Sequence, residues 1–86
     1  MIKHTEQVEG APFQPGQKVT VLSATDDTCA EEFIGSSGTI TALFERSGVG
    51  DSWPNDPLID VEFWIDARAM TEYFWKEELQ LVGVTV

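Results

Sequence analysis

The sequence predicts a small all-β domain in which five short strands close into a barrel. Long loops follow the first and second strands, and a single 3₁₀ turn precedes the fifth. Three observations predict it. Short runs that alternate apolar and polar residues recur along the chain, as half-buried strands require. Clusters of Gly, Pro, Asn and Asp separate them. Nothing between the third and fourth strands supplies the helix that a competing five-stranded barrel, the OB-fold, places there. At 86 residues there is room for one domain with a thin core.

Residues 1–15 read as a mobile N-terminal tail, polar and broken by Pro12 and Pro15, with Val8 and Phe13 as its anchors. Pro15-Gly16 marks the turn into the barrel, which is expected to span 16–83, with 84–86 trailing. Lys18-Val19-Thr20-Val21-Leu22 alternates and forms the first strand, Val19 and Val21 inward. The following loop holds Asp26, Asp27, Glu31 and Glu32. Thr28 to Phe33 has the makings of one helical turn, and Phe33 and Ile34 are expected to tuck back onto the core.

Gly35-Ser36-Ser37-Gly38-Thr39-Ile40 then delivers the chain into the second strand, Gly38 to Glu45. A glycine at each end suits either a positive φ or a close backbone approach. Strict alternation would put Ile40, Ala42 and Phe44 on one face, with Thr39, Thr41 and Leu43 on the other. Gly48, Gly50, Pro54, Asn55 and Pro57 break up the second long loop. Leu58 to Trp64 is the strongest strand: Ile59, Val61 and Phe63 point one way, Asp60, Glu62 and Trp64 the other. Residues 65–70 connect to a fourth strand at Thr71 to Trp75, with Phe74 inward and Tyr73 and Trp75 outward. Lys76-Glu77-Glu78 is the 3₁₀ turn, and Leu79 to Val82 the last strand.

Five short strands with these loops describe an SH3-like barrel. Three pieces of sequence carry a closer resemblance: Pro15-Gly16-Gln17-Lys18-Val19-Thr20-Val21-Leu22, Gly35-x-x-Gly38-Thr39-Ile40, and Phe74-x-x-x-Glu78-Leu79-x-Leu81-Val82. In this order they resemble the small SH3-like subunits of larger assemblies, such as photosystem I reaction-centre subunit IV and the variable chain of ferredoxin–thioredoxin reductase. The first two pieces are also similar to KOW elements of ribosomal and elongation proteins. The resemblance implies the barrel and the habit of an accessory subunit. It carries over no functional residue, because the shared positions are turn and core residues.

Charge narrows the function. Fifteen acidic residues against five basic give a net charge of −10. Such a chain is a poor ligand for nucleic acid or for an anionic membrane, both of which need clustered Lys and Arg. It suits a protein partner with a basic or Pro-rich surface. Met1 to Glu6 lacks the apolar core of a secretory signal, and Cys29 has no second cysteine to pair with, so the expected compartment is the reducing cytoplasm.

No enzyme constellation emerges, and no cofactor or metal is expected. Cys29 sits among Asp26, Asp27, Glu31 and Glu32, whose charge suppresses a thiolate. Those four carboxylates lack the frame of a calcium-binding EF-hand loop. His4, the only histidine, has no metal or triad partner at a recognisable spacing and is assigned no role.

The informative side chains are aromatic. Trp53, Trp64, Tyr73 and Trp75 are the candidate anchors of a partner-binding face, the last three clustering across the hairpin of the third and fourth strands. Asp26, Asp27, Glu31, Glu32, Asp51 and Asp56 would steer the partner. The expectation is a non-catalytic docking module. The alternatives are a homodimer formed through the same aromatic face and a small-ligand binder in the cleft between the long loops.

Overall fold

The computed structural model describes residues 2–24, 29–45 and 53–83, with the backbone alone at 29 and 30. Its six strands are β1 (Ile2–His4), β2 (Lys18–Val21), β3 (Ser37–Glu45), β4 (Leu58–Ile65), β5 (Arg68–Phe74) and β6 (Leu79–Leu81). They form one antiparallel sheet in the order β5-β4-β3-β2-β6, with β1 on β3 as well. Two short 3₁₀ turns, Cys29–Phe33 and Lys76–Glu78, join β2 to β3 and β5 to β6.

This corrects the expected closed, five-stranded barrel in two ways. The sheet is open, ending on β5 at one side and β6 at the other. The sixth strand, β1, lies in the stretch read as a tail, where Ile2, Lys3 and His4 align with Glu45, Phe44 and Leu43. Three residues with no apolar alternation gave no strand signal; the free edge of β3 recruits them.

The remainder of the tail is held by side-chain chemistry. The Gln14 amide brackets Val8, accepting from its N–H and donating to its carbonyl, both at 2.6 Å. Phe13 enters the core and Val8 packs beside it. His4 stacks on Trp53 with ring centroids 4.7 Å apart and meets Glu45 at 3.3 Å. His4 therefore has a structural part in docking β1, where the sequence assigned it none.

β2 and β3 meet across the long loop. Gly35 takes φ 87°, and its N–H bonds the Val21 carbonyl at 2.8 Å. Gly38 answers the other half of the two-glycine expectation. An added Cβ there would meet Val61 Cγ1 at 2.7 Å and Phe63 Cδ1 at 2.9 Å. The missing side chain makes room for Phe63, which stacks on Phe33 at 4.4 Å and meets Phe74 edge-on at 6.0 Å.

These three rings and Val19, Val21, Ile40, Leu43, Ile59, Val61 and Leu79 form the core. Ile34 does not join it; the side chain is half exposed, while Phe33 alone closes the loop end. Nor does β3 alternate strictly. The β3–β4 register shifts between Ile40 and Ala42. That extra residue turns Leu43 inward opposite Ile59, and sends Phe44 to the outer face against the Tyr73 ring at 5.6 Å.

β4 has the expected faces, with Ile59, Val61 and Phe63 fully buried. β5 starts earlier than expected. Asp66 and Ala67, at φ 51° and 62°, form a two-residue turn between Ile65 and Arg68. Two successive positive φ values define the hairpin turn whose twist matches its strands. Asp-Ala is a weak signal for it, which is why residues 65–70 read as a connection.

Candidate functional site

The outer face of β2, β3 and β4 builds the site. Antiparallel pairing sets side chains of directly opposed residues on one face. Lys18 lies opposite Thr39, and Thr39 opposite Glu62, so the three form one row across three strands. Strands ~4.8 Å apart leave Lys18 and Glu62 roughly 10 Å from each other. Trp64 is two residues on from Glu62 and stands on the same face, 71% exposed. Together with Ser37 and Gly38 these residues line an open cleft of about 230 Å³.

The cleft has two unlike walls. Trp64 offers a broad apolar surface with a negative π face, and the half-buried Glu62 stands beside it. Thr39 and Ser37 add hydroxyls on the floor, and Ser37 is already joined to Thr20 at 3.1 Å. Lys18 bounds the opposite side. A flat cation flanked by an indole and a carboxylate is the ligand chemistry these groups match best.

One neighbour on this face is structural. Asp60 is only 9% exposed, although alternation aims it outward. Thr41, the residue at the β3 register shift, donates to its Oδ2 at 2.8 Å. The bulge thus supplies the hydroxyl that lets a carboxylate sit in the middle of the sheet.

The four aromatics do not assemble. Tyr73 is half exposed and faces outward. Its strand position is opposite Asp60, whereas Trp64 is opposite Ala69. Four residues along the sheet, ~13 Å, separate them. Trp75 is half-buried, and its backbone N–H donates to Glu78 Oε1 at 2.7 Å at the head of the second 3₁₀ turn. Trp53 packs against the core and His4. Of the four, only Trp64 lines the cleft.

Of the acidic candidates that are described, none lines the cleft. Glu31 and Glu32 are exposed on the first 3₁₀ turn, and Asp56 is half-buried in the loop before β4. Asp26, Asp27 and Asp51 lie outside the described residues. Sequence reasoning missed Lys18, Ser37, Thr39 and Glu62 as lining residues. Their alternation placed them outward, but only the cross-strand register aligns them with one another and with Trp64.

The family model for the CarS bacterial SH3 domain matches residues 1–82. No curated protein and no solved structure matches the chain.

Proposed function

Because the chain belongs to the CarS bacterial SH3 domain family, we propose that it is a non-catalytic protein-interaction module whose Trp64 cleft receives a basic side chain of its partner. The observation that carries this reading is the pairing of a 71% exposed tryptophan with Glu62 at the edge of the cleft. Tryptophan is enriched among the few side chains that dominate binding energy at protein interfaces. The net charge of −10 supplies the long-range attraction for a basic surface.

A basic surface is favoured over a Pro-rich one. Polyproline recognition uses grooves between neighbouring aromatic rings. Here the cleft has a single ring, Trp64, which stands ~13 Å along the sheet from Tyr73 and its edge-on neighbour Phe44, and Trp53 is stacked on His4. A reducing cytoplasm suits the single Cys29.

Capture from a host lysate tests the reading. The wild-type chain, Trp64→Ala and Glu62→Lys are immobilised and compared for retained proteins. A companion held by the wild type, lost from both variants and released by salt supports the cleft. Equal retention by all three would place the partner elsewhere on the surface.

A further inference from the structure

β5 ends the sheet and pairs only with β4 among the described residues. It is seven residues long, whereas β1 and β6, the other edge strands, have three each. Shortness is one way of protecting an edge; Pro, a bulge or a covering loop are others. β5 has none of these among the described residues. Its register with β4 is unbroken from Phe74 to Arg68, and residues Arg68 to Thr71 and Tyr73 are exposed.

One bond fixes which main-chain groups of β5 face away from β4. The Tyr73 N–H is met by the Glu72 carboxylate at 3.2 Å, so it points away from β4. Alternation then turns the amide groups of Ala69 and Thr71 outward too. Arg68, Met70 and Glu72 place their side chains on the face shared with Ile65, Phe63 and Val61. Met70 and Ile65 are both partly exposed there.

We infer that β5 is a self-association edge: two copies of the chain pair antiparallel through it, about a two-fold axis at Met70, with Arg68 of each opposite Glu72 of the other. This goes beyond the cleft reading, because it uses a strand edge and not the outer face. Charge selects the register. Outward groups at Ala69, Thr71 and Tyr73 restrict a two-fold ladder to axes passing through a residue. An axis at Ala69 sets Asp66 against Glu72, and one at Glu72 sets that carboxylate against itself. An axis at Thr71 leaves Arg68 against Phe74 and Glu72 against Met70. Among the residues of β5 itself, only the Met70 axis creates opposite-charge pairs, and it creates two. Ala69 and Thr71 then exchange main-chain hydrogen bonds. The Arg68–Glu72 and Met70–Met70 pairs fall at the non-hydrogen-bonded sites, where cross-strand side chains approach most closely.

Sedimentation velocity on the full chain, from micromolar to millimolar concentration, tests this. It is run at physiological ionic strength, where repulsion between the acidic copies is screened beyond ~8 Å. The expected result is a monomer–dimer equilibrium. Arg68→Glu alone and Glu72→Arg alone should each raise the dissociation constant by about tenfold or more, and the double exchange should restore it. Thr71→Pro, which removes an outward N–H and none that faces β4, should also abolish the dimer. A monomer throughout overturns the inference. So does a dimer indifferent to the single charge reversals, or one that the double exchange fails to restore.

Discussion

Gly38 runs so close beneath β4 that a Cβ built on it would lie 2.7 Å from the Glu62 carbonyl oxygen. The backbone there cannot yield cheaply, because β4 is held on its other side by β5 in an unbroken register. Gly38→Ala should destabilise the fold by ~1–3 kcal/mol through overpacking. Gly35→Ala meets no steric neighbour and should cost ~1–2 kcal/mol for its positive φ alone. Urea unfolding of both variants checks the difference in cause. Only Gly38→Ala should also perturb the ring-current-shifted resonances of Phe63 and Phe33, which stack beside it.

The tail is tied by one amide. Gln14→Ala removes both hydrogen bonds to Val8. Each contributes ~0.5–1.5 kcal/mol net. The expected outcome is faster amide exchange and earlier proteolysis within residues 2–13, with the exchange of β4 amides unchanged. Uniform acceleration across the sheet would show that the tail and the core unfold as one unit.

The Asp66-Ala67 turn is improvable. Ala67 holds φ 62°, a conformation that costs a residue with a Cβ ~1–2 kcal/mol. Ala67→Gly should therefore raise the stability, by up to ~1 kcal/mol after the added chain entropy of glycine is subtracted. Asp66→Asn with Ala67→Gly gives the preferred pair for this turn and should do at least as well. Thermal melting reads the gain directly.

Thr41 and Asp60 form a local couple on the outer face. Thr41→Val keeps the shape and deletes the donor, leaving a nearly buried carboxylate short of one partner. A loss of ~1–3 kcal/mol is expected. Asp60→Asn in the Thr41→Val background should recover part of it, because a neutral amide is less costly to bury than a charge. Denaturant titration of the two variants and the double variant measures the coupling.

Much of this architecture was legible from residue order. The faces of β4, the 3₁₀ turn at Lys76–Glu78 and both uses of glycine at 35 and 38 follow from period-two patterning and from what glycine permits. β1 was not legible, because its existence depends on a free edge of β3 and not on its own composition. The β3 bulge was hidden too: Ala42, Leu43 and Phe44 are all apolar, so the local pattern does not say which of them turns inward. For the site, exposure of Trp64 and Tyr73 could be read from alternation, but their separation could not. That depends on where the hairpin turns, and an Asp-Ala turn moves β5 back by three residues from the expected Thr71 start.

The cleft makes the final test. Trp64→Ala removes a side chain that is mostly in solvent, so stability should stay within about 0.5 kcal/mol. The decisive measurement is a titration of the isotopically labelled chain with an arginine-rich peptide, followed through its backbone amide resonances, beside a proline-rich peptide of equal length. The arginine peptide should shift Lys18, Thr39, Glu62 and Trp64, weaken with salt, and lose about tenfold or more in affinity in Trp64→Ala. Shifts that avoid this row, or a Trp64→Ala chain that binds as well as the wild type, would contradict the assignment of the cleft.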